Sequence, residues 1–424
     1  LLLLLLLLLL LLLLLLLEII KHEYETKILL NAFTAWCSWA KMTLRIDKCK
    51  SFGVSKVNST SSQIFPKLYL NQRLIPVVNC GESFCYLGRY HNFAMDNTDH
   101  KQVLISETED ILEKIDRLSL HPKFKLQLYM KYLLPKISWH LTITDIEKTW
   151  IKQTLDMMCH NKLRVWLEIP SCGTLDIIFL AKSKFGLNVM DVSTKFTQSQ
   201  VVLRNKLKNS SCFDIRQVYE ATSMNTNVQY DRYVKPKEVV REIRAEKVEN
   251  ISNHLTSQSL VIKSLWKEAF PDMVKDWHAT LDKLPKNIYN FVARDLNNTL
   301  PTLKNMLLWN KVSSNLCHSC SSVQTLQHVV SSCKIHLEEG RYTWRHNSVL
   351  KHLAEYLSCV KKDLTVYADV DGFANPSIVA GAEVRPDMII VNTTLRAVYV
   401  IELTIGFETN ITKNCIRKSS HYSR

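Results

Sequence analysis

Three cysteines and a histidine in the second half of the chain have the spacing of a metal site. They follow the pattern C-x2-C-x7-H-x4-C at Cys317, Cys320, His328 and Cys333. A C-x2-C turn places two thiolates on one side of an ion, and a following turn or short helix returns an imidazole and a third thiolate to close a tetrahedron. The pattern therefore predicts a structural zinc site, with the nearby His318 and His336 as non-ligands.

Two carboxylates further along the chain are placed to meet across a β-hairpin. Asp387 opens an apolar strand, Met388 to Val391, and Glu402 lies in a second strand predicted from Ala397 to Thr404. If the turn is centred between residues 394 and 395, antiparallel pairing sets Asp387 opposite Glu402, with their Cβ atoms about 5 Å apart. Such a pair could hold one Mg²⁺.

This hairpin has two interpretations. Glu402 within an apolar strand is unfavourable unless its charge is paired or binds a metal. The site is then either a metal-dependent phosphodiesterase centre or a structural hairpin with an ion-paired glutamate. A helix predicted after Glu408 favours the first, because it presents a basic face suited to a phosphate. That face combines Asn414, Lys418 and Tyr422 at i, i+4 and i+8 with Arg417 and His421 beside them.

The composition favours a polyanionic partner. The chain of 424 residues has 54 Lys and Arg against 40 Asp and Glu, a formal net charge of +14. Such an excess favours nucleic acid first and an acidic membrane second. Its 46% hydrophobic content is that of a globular protein rather than a disordered one. Twelve cysteines are too sparse for a disulfide scaffold and indicate a reducing compartment.

The elements that would position these residues are mixed. Leu1 to Leu17 is a pure leucine run, which we interpret as translated low-complexity DNA, with a membrane anchor as the alternative. Helical spacing follows up to about Gly53, then a loop at Ser59 to Ser62 and short strands up to Arg89. Residues 100–250 are predicted to be mostly helical. Within them, the stretch from 121 to 166 has eight Lys or Arg, three acidic residues and six aromatics, typical of phosphate binding with base stacking, or of a helical domain with a solvated basic face.

The order of these pieces resembles the site-specific non-LTR retrotransposons of the restriction-like-endonuclease class, in which a reverse transcriptase precedes a CCHC zinc knuckle and a PD-(D/E)xK endonuclease. The resemblance rests on four groups of residues. These are Ala35 to Leu44 with Asp47 to Lys50 (palm); Tyr86 to Arg89 (primer-grip hairpin); the knuckle with Arg341 to Asn347; and Arg385 to Asp387, Glu402 to Thr404 and Arg417 to Tyr422 (endonuclease).

The resemblance implies roles for individual residues. Asp387 and Glu402 would bind a catalytic magnesium ion, and zinc would be structural. Lys418 would be the catalytic lysine, because Thr404 stands where the E-x-K motif has one, and Tyr422 would join the catalytic group. Nicking would prime reverse transcription of the element's RNA. Contacts to nucleic acid are assigned to Arg341, Arg345, His346, Arg385 and Arg417.

The departures from the family pattern bear on activity. The polymerase Asp pair is absent, Gly406 replaces the usual proline, and Ile416 stands where an acidic residue is common. Because the Asp pair is absent, we expect no DNA synthesis. Because the chain stops at Arg424, two residues past Tyr422, we expect a catalytically incomplete endonuclease. The alternative function is a non-catalytic, zinc-dependent nucleic-acid-binding module.

The predicted fold class is multidomain α+β, with a largely helical thumb and linker region, a small zinc knuckle and a C-terminal α/β restriction-like endonuclease fragment. The expected partners are a DNA target and the element RNA, without a specific protein partner or membrane, in the nucleus. The predicted divisions are 1–17 poly-Leu, 18–105 palm edge, 106–250 basic thumb-like helices, 251–312 helical linker, 313–340 knuckle and 341–424 endonuclease.

Overall fold

The computed structural model describes residues 22–57, 60–94, 96–144, 146–223, 229–254, 271–360, 364–381 and 385–422. Helices and small antiparallel sheets alternate along them, so the general α+β class is confirmed. The chain forms two compact units. The first gathers the described residues up to Ser119 with Gln127–Cys159 and Asp191–Val239, and the second gathers the remainder. The six-part division stays a prediction.

Short hairpins dominate the beginning of the first unit. After helix α1 (Glu23–Trp39) come three antiparallel strand pairs, with α1 and the Leu68 to Ile75 segment sharing a small apolar core. The strands are β1 (Gly53–Val57), β2 (Thr60–Ile64), β3 (Tyr69–Leu70), β4 (Arg73–Leu74), β5 (Phe84–Tyr86) and β6 (Arg89–His91). The loop expected at Ser59 to Ser62 is wrong from Thr60 onward, because this segment pairs with β1 along its whole length; Ser59 lies outside the described residues.

The predicted hairpin at Tyr86 to Arg89 is present. Leu87 and Gly88 have φ values of 49° and 83°, which suit the two central positions of a tight hairpin turn. The Trp139 indole donates to the Leu87 carbonyl at 3.0 Å. A Cβ atom on Gly88 would lie 2.9 Å from the Trp139 Nε1 atom, so glycine is required here by both its backbone angle and the space available.

The middle of the chain is helical, as predicted. Its aromatic residues divide between core and surface: Tyr129 and Trp166 are buried, whereas Phe124, Tyr132 and Trp139 are exposed. The helices are α2 (Thr98–Arg117), α3 (Pro122–Leu128), α4 (Leu134–Ile143), α5 (Lys148–Ile151), α6 (Met157–Leu167), α7 (Asp176–Phe179), α8 (Val192–Lys208), α9 (Phe213–Ser223) and α10 (Pro236–His254). Two π-turns, Tyr129–Leu133 and Lys152–Asp156, and a 3-10 turn, Lys182–Lys184, complete this part. Another 3-10 turn, Ile46–Lys48, lies between α1 and β1.

The rest of the second unit leads to both candidate sites. The helices α11 (Pro271–Leu281), α12 (Lys286–Leu296) and α13 (Leu303–Leu308) precede the cysteine–histidine segment. This segment includes a third π-turn, His328–Ser332, and helix α14 (Lys334–Glu338). Apolar side chains of α11 and α12 pack with those near Ile177 and Phe185, which gives this part of the unit its core.

A three-stranded antiparallel sheet forms the last part of the second unit. Its strand order is β7 (Leu364–Ala368), β8 (Met388–Asn392), β9 (Ala397–Ile401). The long helix α15 (Arg341–Val360) buries Leu350 and Ala354 against Ala368, Met388 and Ile390 of this sheet. A short helix, α16 (Ser377–Ala380), precedes β8, and the final helix α17 (Glu408–Tyr422) follows β9. The second hairpin strand ends at Ile401, three residues earlier than predicted.

The leucine run, and with it the alternative of a membrane anchor there, lies outside the described residues. Within the part of the chain that the structure describes, no helix combines the length and the apolar character that crossing a membrane requires.

Candidate metal centre and candidate active site

The four predicted zinc ligands converge. One ligand atom from each of Cys317, Cys320, His328 and Cys333 lies within 4.8 Å of the others, and Cys320 Sγ is 3.2 Å from His328 Nε2. Tetrahedral zinc with Zn–S bonds of about 2.3 Å sets sulfur atoms roughly 3.8 Å apart. The described cluster could therefore hold a metal ion such as zinc. The two spare histidines, His318 and His336, are not part of it.

Local backbone geometry builds the C-x2-C turn. Ser321, with a φ of 55°, donates its N–H to the Cys317 carbonyl at 2.9 Å. The Cys317 N–H in turn donates to the Ser322 carbonyl at 2.7 Å and completes the turn. Backbone N–H groups of Ser319 and Cys320 point at the Cys317 sulfur and lower the pKa of that thiol to about 6. The turn therefore stabilises a thiolate, the form that binds metal.

The second pair of ligands is held by a π-turn and a tyrosine. His328 opens the π-turn and Cys333 follows its last residue. The hydroxyl of Tyr342, in the first turn of α15, accepts from the Cys333 N–H at 2.9 Å and donates to the His328 carbonyl at 3.2 Å. Both ligands of the second pair are thus tied to the start of α15. Nothing in the ligand spacing indicated Tyr342.

The hairpin register is the one predicted. Met388 pairs with Ile401 and Asn392 with Ala397, so the turn is centred between residues 394 and 395. Asp387 and Glu402 are the next pair outward. Here the side-chain carboxylates accept the hydrogen bonds from the backbone N–H groups. The Asp387 N–H donates to the Glu402 carboxylate at 3.3 Å, and the Leu403 N–H donates to the Asp387 carboxylate at 2.8 Å. The two side chains therefore lie together at one end of the hairpin.

The ammonium group of Lys418 lies between the two carboxylates. Its Nζ atom is 2.6 Å from Asp387 Oδ2, 2.6 Å from Glu402 Oε2 and 2.8 Å from the Leu403 carbonyl oxygen. The side chains of Asp387, Glu402 and Lys418 are 17%, 20% and 22% exposed, so the group is largely sheltered but still in contact with solvent. Helix α17 thus presents a cation to three convergent oxygen atoms.

These contacts shift the pKa values of Asp387 and Lys418. Burial opposes ionisation of Asp387, but hydrogen bonds from Lys418 and the Leu403 N–H outweigh it and lower the pKa of this carboxyl. Burial also disfavours the charged Lys418, but its hydrogen bonds to Asp387 and Glu402 prevail and raise the pKa of the amine. The pair is therefore an ionised carboxylate beside a stable ammonium ion.

His346 joins this group, although the sequence assigned it only to nucleic-acid binding. Its Nε2 atom is 3.2 Å from the Leu403 carbonyl oxygen and 3.4 Å from Asp387 Oδ2. These are two of the three oxygen atoms around the Lys418 ammonium. Sequence spacing carries no signal for this position, because it depends on how α15 packs on the sheet.

The other residues predicted to bind nucleic acid differ in their exposure and in their contacts with neighbouring side chains. Arg417 is exposed on α17. Arg341 is exposed and paired with Glu339 at 2.6 Å. Arg345 lies 5.5 Å from the centre of the Tyr342 ring. Arg385 binds Asp369, so a phosphate would have to compete for it. Among the predicted catalytic residues, the side chain of Tyr422 lies outside what the structure describes.

Comparison with known proteins does not identify the chain. Protein-family models give no match, and curated protein sequences give none either.

Proposed function

We propose that residues 341–422 contain a metal-dependent phosphodiesterase site that acts on nucleic acid, preceded by a structural zinc site. The observation that carries this proposal is the convergence of Asp387, Glu402 and the Leu403 carbonyl on one cation position, which the Lys418 ammonium fills. An ammonium ion among three oxygen atoms is a stand-in for a metal ion at the same place. Mixed carboxylate and carbonyl oxygens are the hard ligands that Mg²⁺ prefers.

Magnesium at this position would activate a water molecule and stabilise charge on the scissile phosphate. Asp387 and Glu402 would hold it, with the Leu403 carbonyl as a further ligand. The other site has a different donor set, three sulfurs and one imidazole, which favours zinc over magnesium.

Lys418 has a role that follows from its charge. Its raised pKa keeps it an ammonium ion at neutral pH, so it does not serve as a general base. Released from the carboxylates, the ammonium is suited to bind the scissile phosphate or to give a proton to the leaving oxygen. Both roles agree with the part of the catalytic lysine that the family resemblance gives it.

Nucleic acid is the phosphodiester substrate that the charge favours. The net charge of +14 and the exposed Arg417 beside Lys418 support binding to a polyanion. The retrotransposon resemblance further suggests a DNA target, an element RNA and a nuclear location, and these are parts of the same proposal.

A non-catalytic, zinc-dependent nucleic-acid-binding module is the second candidate. One observation favours it: the Lys418 ammonium gives all three converging oxygens a hydrogen-bond partner. An ion-paired hairpin of this kind is stable without any metal ion, and it would then serve only the fold.

Nicking of supercoiled plasmid by the full chain distinguishes the two candidates. The departures from the family pattern predict an incomplete endonuclease, but Asp387, Glu402 and Lys418 still converge. The proposal therefore predicts nicking with Mg²⁺ or Mn²⁺, and none after Asp387→Ala. The matched control is Glu355→Gln, which removes an exposed acidic group on α15 away from the site. If the zinc-loaded chain binds DNA but never nicks it in either metal, the phosphodiesterase proposal is wrong and the binding module remains.

A further inference from the structure

Helix α15 touches both candidate sites within its first two turns. Tyr342 binds the backbone of two cluster ligands, donating to the His328 carbonyl and accepting from the Cys333 N–H. His346 lies one turn later and reaches the Leu403 carbonyl and Asp387. Four residues of α-helix span about 6 Å, so one rigid segment joins the two sites.

The two halves of α15 are anchored differently. Its second half is fixed by Leu350 and Ala354, which are buried in the core of the sheet. Its first turn follows Gly340, whose φ of 72° lies in the left-handed region and ends the helical path of α14. Within the described residues, the Tyr342 hydroxyl is the hydrogen-bonding link that ties this first turn to the cluster.

We propose that the metal-bound cysteine–histidine cluster fixes the start of α15 through Tyr342, and thereby holds His346 against Asp387 and the Leu403 carbonyl. His346 is then a positioning residue that orients two of the three oxygen atoms of the carboxylate site. This inference rests on the proposed function of that site. It makes the two metal sites cooperative, so that loading of the first strengthens binding at the second.

The coupling follows from a chain of contacts: the metal ion would hold the His328 to Cys333 segment, and this segment binds the Tyr342 hydroxyl. Without a metal ion, the sulfur atoms and the imidazole are held only by weak contacts such as that between Cys320 Sγ and His328 Nε2. The segment between His328 and Cys333 then loses the strongest constraint that a bound metal would give it. The Tyr342 hydroxyl then loses its fixed partners. Residues that orient metal ligands affect metal affinity even when they do not touch the ion.

The test is titration of the full, zinc-loaded chain with Mn²⁺, followed by electron paramagnetic resonance. We expect His346→Ala to weaken Mn²⁺ binding on the order of tenfold. Tyr342→Phe, which removes only the hydroxyl, should weaken it roughly two- to tenfold while zinc stays bound. His346→Gln, which retains a donor, should recover part of the loss. The matched control is Tyr356→Phe, an exposed tyrosine on the same helix.

A double variant separates coupling from two independent effects. If Tyr342 acts through His346, Tyr342→Phe adds nothing to His346→Ala; independent contributions would add. Equal Mn²⁺ affinity in Tyr342→Phe and Tyr356→Phe, with zinc bound in both, overturns the coupling.

A second readout needs no ion at the carboxylate site. The ring signals of His346 in NMR spectra should change on zinc loading in the unmodified chain and much less in Tyr342→Phe. No such difference also overturns the coupling. Mn²⁺ binding that is insensitive to Asp387→Asn overturns the proposed function instead, and the NMR result then decides the coupling on its own.

Discussion

The cysteine–histidine cluster and the carboxylate site solve the problem of gathering ligands in opposite ways. All four cluster ligands lie between residues 317 and 333, and short turns bring them together. The carboxylate site draws on residues from 346 to 418, held by a helix, a hairpin and a second helix. The first therefore depends on local spacing, and the second on tertiary packing.

The two sites also differ in how they manage charge without a metal ion. Backbone N–H groups stabilise a thiolate at Cys317, and the cluster ligands themselves are three sulfurs and one imidazole. The carboxylate site supplies its own cation, Lys418. Under the proposed function, a metal ion would hold the cluster ligands together, whereas at the carboxylate site it would have to displace the Lys418 side chain.

Removing a cluster ligand should have the largest effect. We expect Cys333→Ser to lower zinc affinity by more than about a hundredfold, because even residues that only orient metal ligands contribute 10- to 100-fold. Hydrogen exchange between residues 317 and 333 should accelerate at the same time. Zinc content and exchange measure this, with the exposed Cys359→Ser as control. Unchanged zinc content would remove Cys333 from the ligand set.

Removing the Lys418 ammonium should have an effect of intermediate size, and it should strengthen metal binding rather than weaken it. Lys418→Met leaves three oxygens without their cation, so we expect Mn²⁺ to bind about tenfold more tightly, the equivalent of one charged hydrogen bond. Nicking should be lost in the same variant. Lys413→Met, an exposed lysine on α17, is the control. Weaker Mn²⁺ binding in Lys418→Met would show that the ammonium does not compete with metal.

The carboxylate site should also respond to acid. The folded-state pKa of Asp387 is lowered, so its contribution to stability is present above its unfolded value of about 3.9 and is lost as the pH falls through the folded value. The raised pKa of Lys418 gives a contribution present below about 10.4 and lost at higher pH. We expect Asp387→Asn to flatten the acid-side decline of unfolding free energy, measured with urea in the presence of a chelator. An unchanged decline, as expected for Glu355→Gln, would contradict this.

The smallest expected effect is a change in the salt dependence of DNA binding, and it should differ between Arg417, which is exposed, and Arg385, which is ion-paired. Arg417→Ala should reduce the salt dependence of DNA binding by about one counterion. Arg385→Ala should change it less, because Asp369 already binds this arginine. Binding measured from low to moderate salt tests this order. A larger loss in Arg385→Ala would show that its ion pair opens on binding.

The sequence predicted features that depend on spacing or on register. The cluster could be predicted because C-x2-C-x7-H-x4-C lies within consecutive turns. The pairing of Asp387 with Glu402 could be predicted because antiparallel register follows from one turn position. Lys418 was assigned from the family resemblance, since helical spacing alone does not show which face of α17 meets the hairpin.

Features set by packing could not be predicted. The approach of His346 to Asp387 depends on the contacts that α15 makes at both ends, through Tyr342 at its start and through Leu350 and Ala354 on the sheet. Local spacing does not encode these contacts. The ion pair between Arg385 and Asp369 could not be predicted either, because it depends on where the strand before Asp369 ends. Strand limits were missed for a similar reason. Thr60 joins a hairpin, and β9 stops at Ile401, after which the carboxylates replace backbone pairing.

The π-turn at His328–Ser332 makes the chain length between two ligands more important than its sequence. Val329, inside the turn, is exposed, so its side chain is free to vary. A π-turn is closed by an i→i+5 hydrogen bond, so deleting one of its residues would change the direction in which Cys333 leaves the turn and move it away from the other ligands. We therefore expect related chains that retain this cluster to vary at exposed positions such as Val329 but to keep four residues between His328 and Cys333.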